Sequence, residues 1–175
     1  MLAWRPVSVD EHRAQAPTRF GFAVLTVSDS RSDRTDRGGP LLVELVTAPG
    51  HHVVWRRIVR DDVQEIRDGV RDAIHPAEVD AVLVTGGTGV ARRDSTIEAV
   101  RPMLEKELLG FGELFRQLSY QEIGTAAMLS RATAGVVAGR AVFLLPGSPA
   151  ALALAVERLI LPELGHLLAQ ARRRD

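Results

Sequence analysis

The chain has 175 residues, 46% of them hydrophobic and 25% charged, which suits one packed domain and argues against global disorder. Its 22 basic residues balance 22 acidic ones, so neither a strongly basic nucleic-acid binder nor an acidic tail protein is the expected class. The absence of cysteine removes disulfides, thiolate metal sites, iron–sulfur clusters and cysteine nucleophiles together, and fits a reducing compartment.

Residues 1–18 (MLAWRPVSVDEHRAQAPT) are polar, contain Pro6 and Pro17 and show no period, which predicts an N-terminal arm. They lack the apolar stretch and cleavage site of a secretory signal. No run approaches the roughly 18 apolar residues of a membrane span, so a cytoplasmic protein with no membrane partner is expected. One domain is predicted over 19–171, followed by a solvated basic tail, 172–175.

Phe20–Ser28 (FGFAVLTVS) is rich in β-branched residues and predicts a buried strand. Leu41–Ala48 carries a helical stripe stopped by Pro49–Gly50. His51–Val59 alternates as a second strand, and Val63–Ile74 has apolar residues at helical spacing up to Pro76. Ala81–Thr85 is a third, wholly apolar strand. Ser95–Thr96–Ile97–Glu98 has the form of a capping box and opens a helix that Pro102 should kink. Phe111–Glu122 predicts a helix with Leu114, Phe115 and Leu118 on one face. Gly135–Ala138 and Ala141–Leu145 are short strands about a Gly139–Arg140 turn, and Ala150–Ala171 is helical with a break at Pro162.

Alternating strands and helices predict an α/β fold: a mostly parallel sheet, helices on both faces, and a short β-hairpin added at one edge. Ligands in such folds bind beyond the carboxyl ends of the strands. Three loops there are chemically unusual. They are Ser28–Asp29–Ser30–Arg31 with Asp36–Arg37–Gly38–Gly39, then Thr85–Gly86–Gly87–Thr88–Gly89 with Arg92–Arg93–Asp94–Ser95, and Pro146–Gly147–Ser148–Pro149.

Three glycines in four residues let backbone N–H groups approach an anion, the hydroxyls of Thr85 and Thr88 add donors, and a following helix would add its positive end. The same loop could serve only as a tight strand-to-helix turn. It is not a P-loop, since the only lysine is Lys106. It is not a dinucleotide fingerprint either, because Arg92 stands where that pattern needs its third glycine.

Asp94 could cap a helix, but Ser95 can take that role through the Ser95/Glu98 box and leave Asp94 for a metal or ligand. Either Asp61 or Asp62 could cap the helix from Val63. Asp29, Asp61 and Asp94 around a glycine loop suggest Mg²⁺ with a phosphate ligand, because hard cations take oxygen ligands. Arg92 and Arg93 could hold phosphate oxygens or form a solvated pair. Ser148 could cap a helix or meet a ligand hydroxyl. The five histidines show no metal-binding spacing.

The strand-end segments resemble, in this order, the MogA/MoaB family of molybdenum cofactor biosynthesis proteins. The matching stretches are VLTVSDSR (24–31), DRGG (36–39), VRDD (59–62), LVTGGTGVARRDST (83–96), GFGELFRQLSYQEIGTAAMLSRATAG (110–135) and FLLPGSP (143–149). VARRDST is closer to MogA-type sequences, while LFRQLSYQEIGTAAMLSRA and PGSPAA are closer to MoaB.

The resemblance implies a three-layer α/β fold assembling as trimers or hexamers. It implies binding of molybdopterin and, with Mg²⁺ and ATP, adenylylation of its terminal phosphate with release of pyrophosphate. A molybdenum-insertion protein would then be the downstream partner. Asp61 and Asp94 match the essential acidic positions, which the resemblance also implies as Mg²⁺ ligands. Gly86, Gly87, Thr88 and Gly89 match the ligand loop, and Ser28, Asp29, Asp36 and Ser148 match further pocket positions. A non-catalytic pterin-binding or scaffold protein of the same pathway is the alternative.

Overall fold

The computed structural model describes residues 19–173, so the expected arm, residues 1–18, lies outside the described residues. The strands are β1 (Gly21–Val27), β2 (His52–Val59), β3 (Ala81–Thr85), β4 (Lys106–Glu107), β5 (Thr133–Val137) and β6 (Arg140–Leu145). The helices are α1 (Gly38–Thr47), α2 (Val63–Ile74), α3 (Thr96–Val100), α4 (Leu109–Ile123), α5 (Pro149–Ala155) and α6 (Leu161–Ala171). The six strands form one sheet in the order β2-β1-β3-β6-β5-β4. The four strands β2, β1, β3 and β6 are parallel, while β5 runs antiparallel to β6 and to β4.

Side chains alternate across a strand, and β1 feeds two cores accordingly. Phe22 and Val24 pack with Leu42 and Val46 of α1, Leu152 of α5, Leu164 of α6 and Phe115 of α4. Ala23 and Leu25 pack with Ile66 and Val70 of α2 and Ile97 and Val100 of α3. Helices therefore cover both faces of a sheet whose central strands β1 and β3 are fully buried, and the predicted three-layer architecture is the observed one. Parallel strands with such crossovers place the β1, β2, β3 and β6 carboxyl ends along one rim.

Several elements depart from the sequence expectations. The first helix starts at Gly38, a turn before Leu41, because Asp36 Oδ1 accepts from the N–H groups of Gly38 (3.0 Å) and Gly39 (3.1 Å). The α4 face toward the core carries Phe111, Phe115 and Leu118, whereas Leu114 is exposed. The hairpin turn is Ala138–Gly139, both at positive φ, and Arg140 lies within β6. β4, two residues long, has no signal in the sequence beyond its place before α4. Pro162 does not break the last helical segment outright. A π-helical stretch, Val156–Ile160, precedes it and joins α5 to α6. Arg172, expected in a solvated tail, pairs with Asp80 (2.7 Å) and donates to Gly139 O (3.1 Å).

Helix α2 settles which aspartate is its cap. Asp62 Oδ1 accepts from Gln64 N (2.9 Å) and Glu65 N (3.0 Å), which leaves Asp61 for other work. Asp62→Ala is expected to lower stability by about 1 kcal/mol, read as a fall in the urea midpoint with an unchanged slope.

Candidate functional site

The loop after β3 turns sharply because Gly86 (φ 97°) and Gly87 (φ 61°) adopt backbone conformations that favour glycine. A β-carbon on Gly86 would stand 2.3 Å from Val27 O, and one on Gly87 would stand 2.4 Å from Thr96 Oγ1. Side-chain hydroxyls staple the loop to its surroundings. Thr85 Oγ1 donates to Pro146 O (3.2 Å), Thr88 Oγ1 to Leu145 O (3.4 Å) and Thr96 Oγ1 to Gly86 O (2.8 Å). The Thr85 and Thr88 hydroxyls, expected as anion donors, are thus spent on carbonyls at the end of β6.

What the loop offers an anion is its backbone. Gly86 N donates to Leu145 O (3.2 Å). Among the described residues, no group accepts from the consecutive N–H groups of Gly87, Thr88 and Gly89. Successive amides of this kind form an anion-binding concavity. The following helix adds little, since α3 is five residues long and begins only at Thr96.

Two carboxylates flank this loop. Asp61 Oδ1 accepts from Ser95 N (3.0 Å) and Ser95 Oγ (2.6 Å), while its Oδ2 faces Gly87 so closely that a β-carbon there would lie 2.6 Å away. Asp94 Oδ2 accepts from Ala91 N (2.8 Å) and lies as close to Gly89. The Ser95/Glu98 capping box does not form. Ser95 gives its hydroxyl proton to Asp61, and Glu98 is held by Arg131. Asp29 Oδ1 accepts from Asp61 N (3.3 Å), and its Oδ2 pairs with Arg93 (2.7 Å), which ties the first and second loops together. Arg93 is thereby engaged, and Arg92 is exposed.

On the other side of Gly86 lies a cavity of about 370 Å³. Thr26, Val27 and Ser28 from the end of β1 line it, with Arg31, Asp36, Arg37 and Gly38, then Thr85 and Gly86, then Gly147 and Pro149. The three loops chosen from sequence therefore meet in one crevice. A larger cavity, about 580 Å³, lies between α4 and α6, is walled by Phe111, Leu114, Phe143 and Leu164, and receives none of these loops.

Asp36 is buried beneath the crevice and accepts from Thr26 Oγ1 (3.0 Å), Arg56 (2.9 Å) and the amides opening α1. Burial pushes its pKa up. The bonds from Arg56, Gly39 and Thr26 and the Arg56 charge outweigh that effect, holding the carboxyl below the usual aspartate value. Asp36 is therefore ionised with its charge paired to Arg56, and it lines the cavity together with Arg31 and Arg37.

Residues 23–166 match the family described as a probable molybdopterin binding domain. The chain is 50% identical to molybdenum cofactor biosynthesis protein B of Halalkalibacterium halodurans, over 94% of this chain and 97% of that one. It belongs to the molybdopterin-binding family. Within that family it is also 44% identical to a molybdopterin adenylyltransferase of Pyrococcus furiosus, over 95% of this chain and 99% of that one. A crystal structure of a molybdenum cofactor biosynthesis protein B superposes with a TM-score of 0.87 at 48% identity, covering 91% of this chain and all of that one. The MoaB-like and MogA-like stretches thus sit in a chain whose relatives include proteins named molybdenum cofactor biosynthesis protein B and one named molybdopterin adenylyltransferase.

In this member of the molybdopterin-binding family, Asp61, Asp94, Gly86, Gly87, Thr88 and Gly89 come together as the sequence suggested, with Asp29 and Arg93 bridging beside them. Ser28 lines the cavity, where its Oγ accepts from Ser30 N (3.3 Å) and Arg31 N (3.2 Å). Ser148 caps α5 through Ala151 N (3.4 Å), the alternative role left open for it. Sequence reasoning found no role for Arg131, and it placed Arg31 and Arg37 in an unusual loop without assigning either to the site. Asp36→Asn is expected to cost about 1–3 kcal/mol at pH 7, measured by urea unfolding. Because the folded-state pKa is depressed, the ionised form's contribution is complete above the unfolded value. It disappears as pH falls through the folded one, so the gap between variant and parent should close in acid.

Proposed function

We propose that this chain binds molybdopterin and transfers adenylate from Mg²⁺-bound ATP to its terminal phosphate. The observation that carries the proposal is the run of three unengaged amides, Gly87–Gly89, between the carboxylates of Asp61 and Asp94. The identity to a relative named molybdopterin adenylyltransferase supports it. In the reaction an oxygen of the pterin phosphate bonds to the α-phosphorus of ATP. The bond from that phosphorus to the bridging oxygen of the β-phosphate breaks, and pyrophosphate leaves with the electron pair.

The pterin phosphate is already a nucleophile, so no protein base is needed, and catalysis reduces to placement and charge neutralisation. The loop amides place a phosphate group by donating to its oxygens. Arg31 and Arg37 line the adjoining cavity, where they would meet a second anionic group, with Asp36 neutralised by Arg56. Among the described residues there is no group of three or more His, Cys, Asp or Glu suited to a metal ion. A pair of hard carboxylates fits a Mg²⁺ that takes its other ligands from water and phosphate oxygens. Asp61 and Asp94 would hold it, and magnesium when bound offsets charge on the phosphates.

A second reading, a pterin-binding or scaffold protein of the same pathway, is favoured by two contacts. Asp94 Oδ2 is spent on Ala91 N and Arg93 on Asp29. The proposed setting is a cytoplasmic protein handing its product to a molybdenum-insertion protein; no helix among the described residues is long and apolar enough to cross a membrane. Self-association into a trimer or hexamer is supported by exposed Tyr120, Ile123, Met128 and Leu129 on α4 and the turn after it.

Purified protein mixed anaerobically with molybdopterin, ATP and Mg²⁺ should yield adenylylated pterin and pyrophosphate. Asp94→Asn keeps an oxygen for Ala91 N but loses the charge, and is expected to lower turnover about 100-fold or more. Undiminished turnover would remove Asp94 from the mechanism, and no turnover with pterin still bound would select the second reading. For assembly, Ile123→Asp with Met128→Asp should shift a sedimenting trimer or hexamer to single chains.

A further inference from the structure

We propose that Arg131 is a positioning residue for the adenylyl transfer described above, acting on the Gly87–Asp94 loop through its backbone. The inference rests on that proposed reaction for its kinetic readout and on the structure alone for its geometry.

Arg131 stands just before β5, far in sequence from the loop, yet its guanidinium reaches the loop twice. Nε donates to Thr88 O (3.3 Å) and Nη2 donates to Asp94 O (3.4 Å). The same fork pairs with both oxygens of Glu98, on α3 just beyond the loop. This guanidinium holds the Glu98 carboxyl below its ordinary range. One planar group thus spans three points: the middle of the anion-binding turn, the residue bearing the second carboxylate, and the helix that follows.

The need for such a clasp follows from the loop's composition. A segment with Gly86, Gly87 and Gly89 has little conformational preference of its own, and Val90, Ala91, Arg92 and Arg93 are exposed. Thr88 contributes an unengaged amide and Asp94 a carboxylate beside Gly89, while the carbonyl of each accepts from Arg131. A guanidinium suits that role because its donors lie in a fixed plane. A lysine at the same place would supply charge without the fork. Arg131 itself is not aimed at the three unengaged amides, so it acts through the loop.

The decisive experiment compares the parent protein with Arg131→Gln and Arg131→Lys. Hydrogen exchange reads the backbone directly. The Ala91 and Asp94 amides, bonded to Asp94 Oδ2 and Ala91 O, should exchange faster in both variants while the β1 and β3 amides keep their protection. Turnover should fall about 100-fold in both variants with KM for ATP unchanged, since small misplacement of reacting groups costs about that much. Guanidinium ion at millimolar concentration should restore part of the turnover of Arg131→Ala.

Parent-like exchange at Ala91 and Asp94, or full turnover in Arg131→Gln, overturns the proposal. Faster exchange spread equally over the sheet also overturns it, because that is general loss of stability. A parent protein that binds molybdopterin without adenylylating it would sink the reaction and not the clasp. Arg131→Gln should then weaken molybdopterin binding together with the local change in exchange, and unchanged binding would overturn the clasp too.

Discussion

The site depends on the bond between Asp61 and Ser95. Asp61 leaves the end of β2 and Ser95 opens α3, yet one carboxylate oxygen receives both the amide and the hydroxyl of Ser95. A charge-assisted pair of this kind is stronger than neutral hydrogen bonds, and it fixes where two loops meet. With Oδ1 committed, Oδ2 is left facing Gly87. The glycine is then obligatory twice over, by its positive φ and by the oxygen against it.

Charge is distributed around this bond with a division of labour. Asp36 and Asp62 satisfy backbone amides and belong to the scaffold. Asp29 bridges loops through Arg93, and only Asp61 and Asp94 lie against the glycine turn. Five aspartates near one rim thus do three different jobs. The arginines divide likewise, with Arg56 and Arg131 engaged beneath the loops and Arg31 and Arg37 lining the cavity.

Legibility in the sequence followed the range of the cause. Strand β3 and helix α2 could be bounded to the residue because burial on both faces and a 3.6-residue stripe are local patterns. The glycine loop was equally local, whereas the choice of cap between Asp61 and Asp62 stayed open until the bonds from Gln64 N and Glu65 N fixed it on Asp62. Ser95 was misassigned because its partner lies 34 residues away, and a capping box is the better local solution when that partner is unknown. Arg131 left no mark beyond its place in a family-like stretch, since nothing in a linear reading connects it to Thr88. Leu114 looked like core because helical spacing defines a stripe but not its width. The turn at Ala138–Gly139 was displaced by one residue because Ala138 sits at φ 49°, where alanine is uncommon.

The sheet also ends differently on its two sides. At one margin stands β4, only Lys106 and Glu107, too short and too charged to template another strand. At the other stands β2, eight residues long, with exposed Arg56 and Arg57 in its middle. Arg57 is anchored to Asp72 and lies over the Trp55 ring at 5.7 Å. A chain adding to that margin would have to displace or desolvate the exposed Arg57 guanidinium. Charge at one border and brevity at the other oppose growth of this sheet by edge pairing.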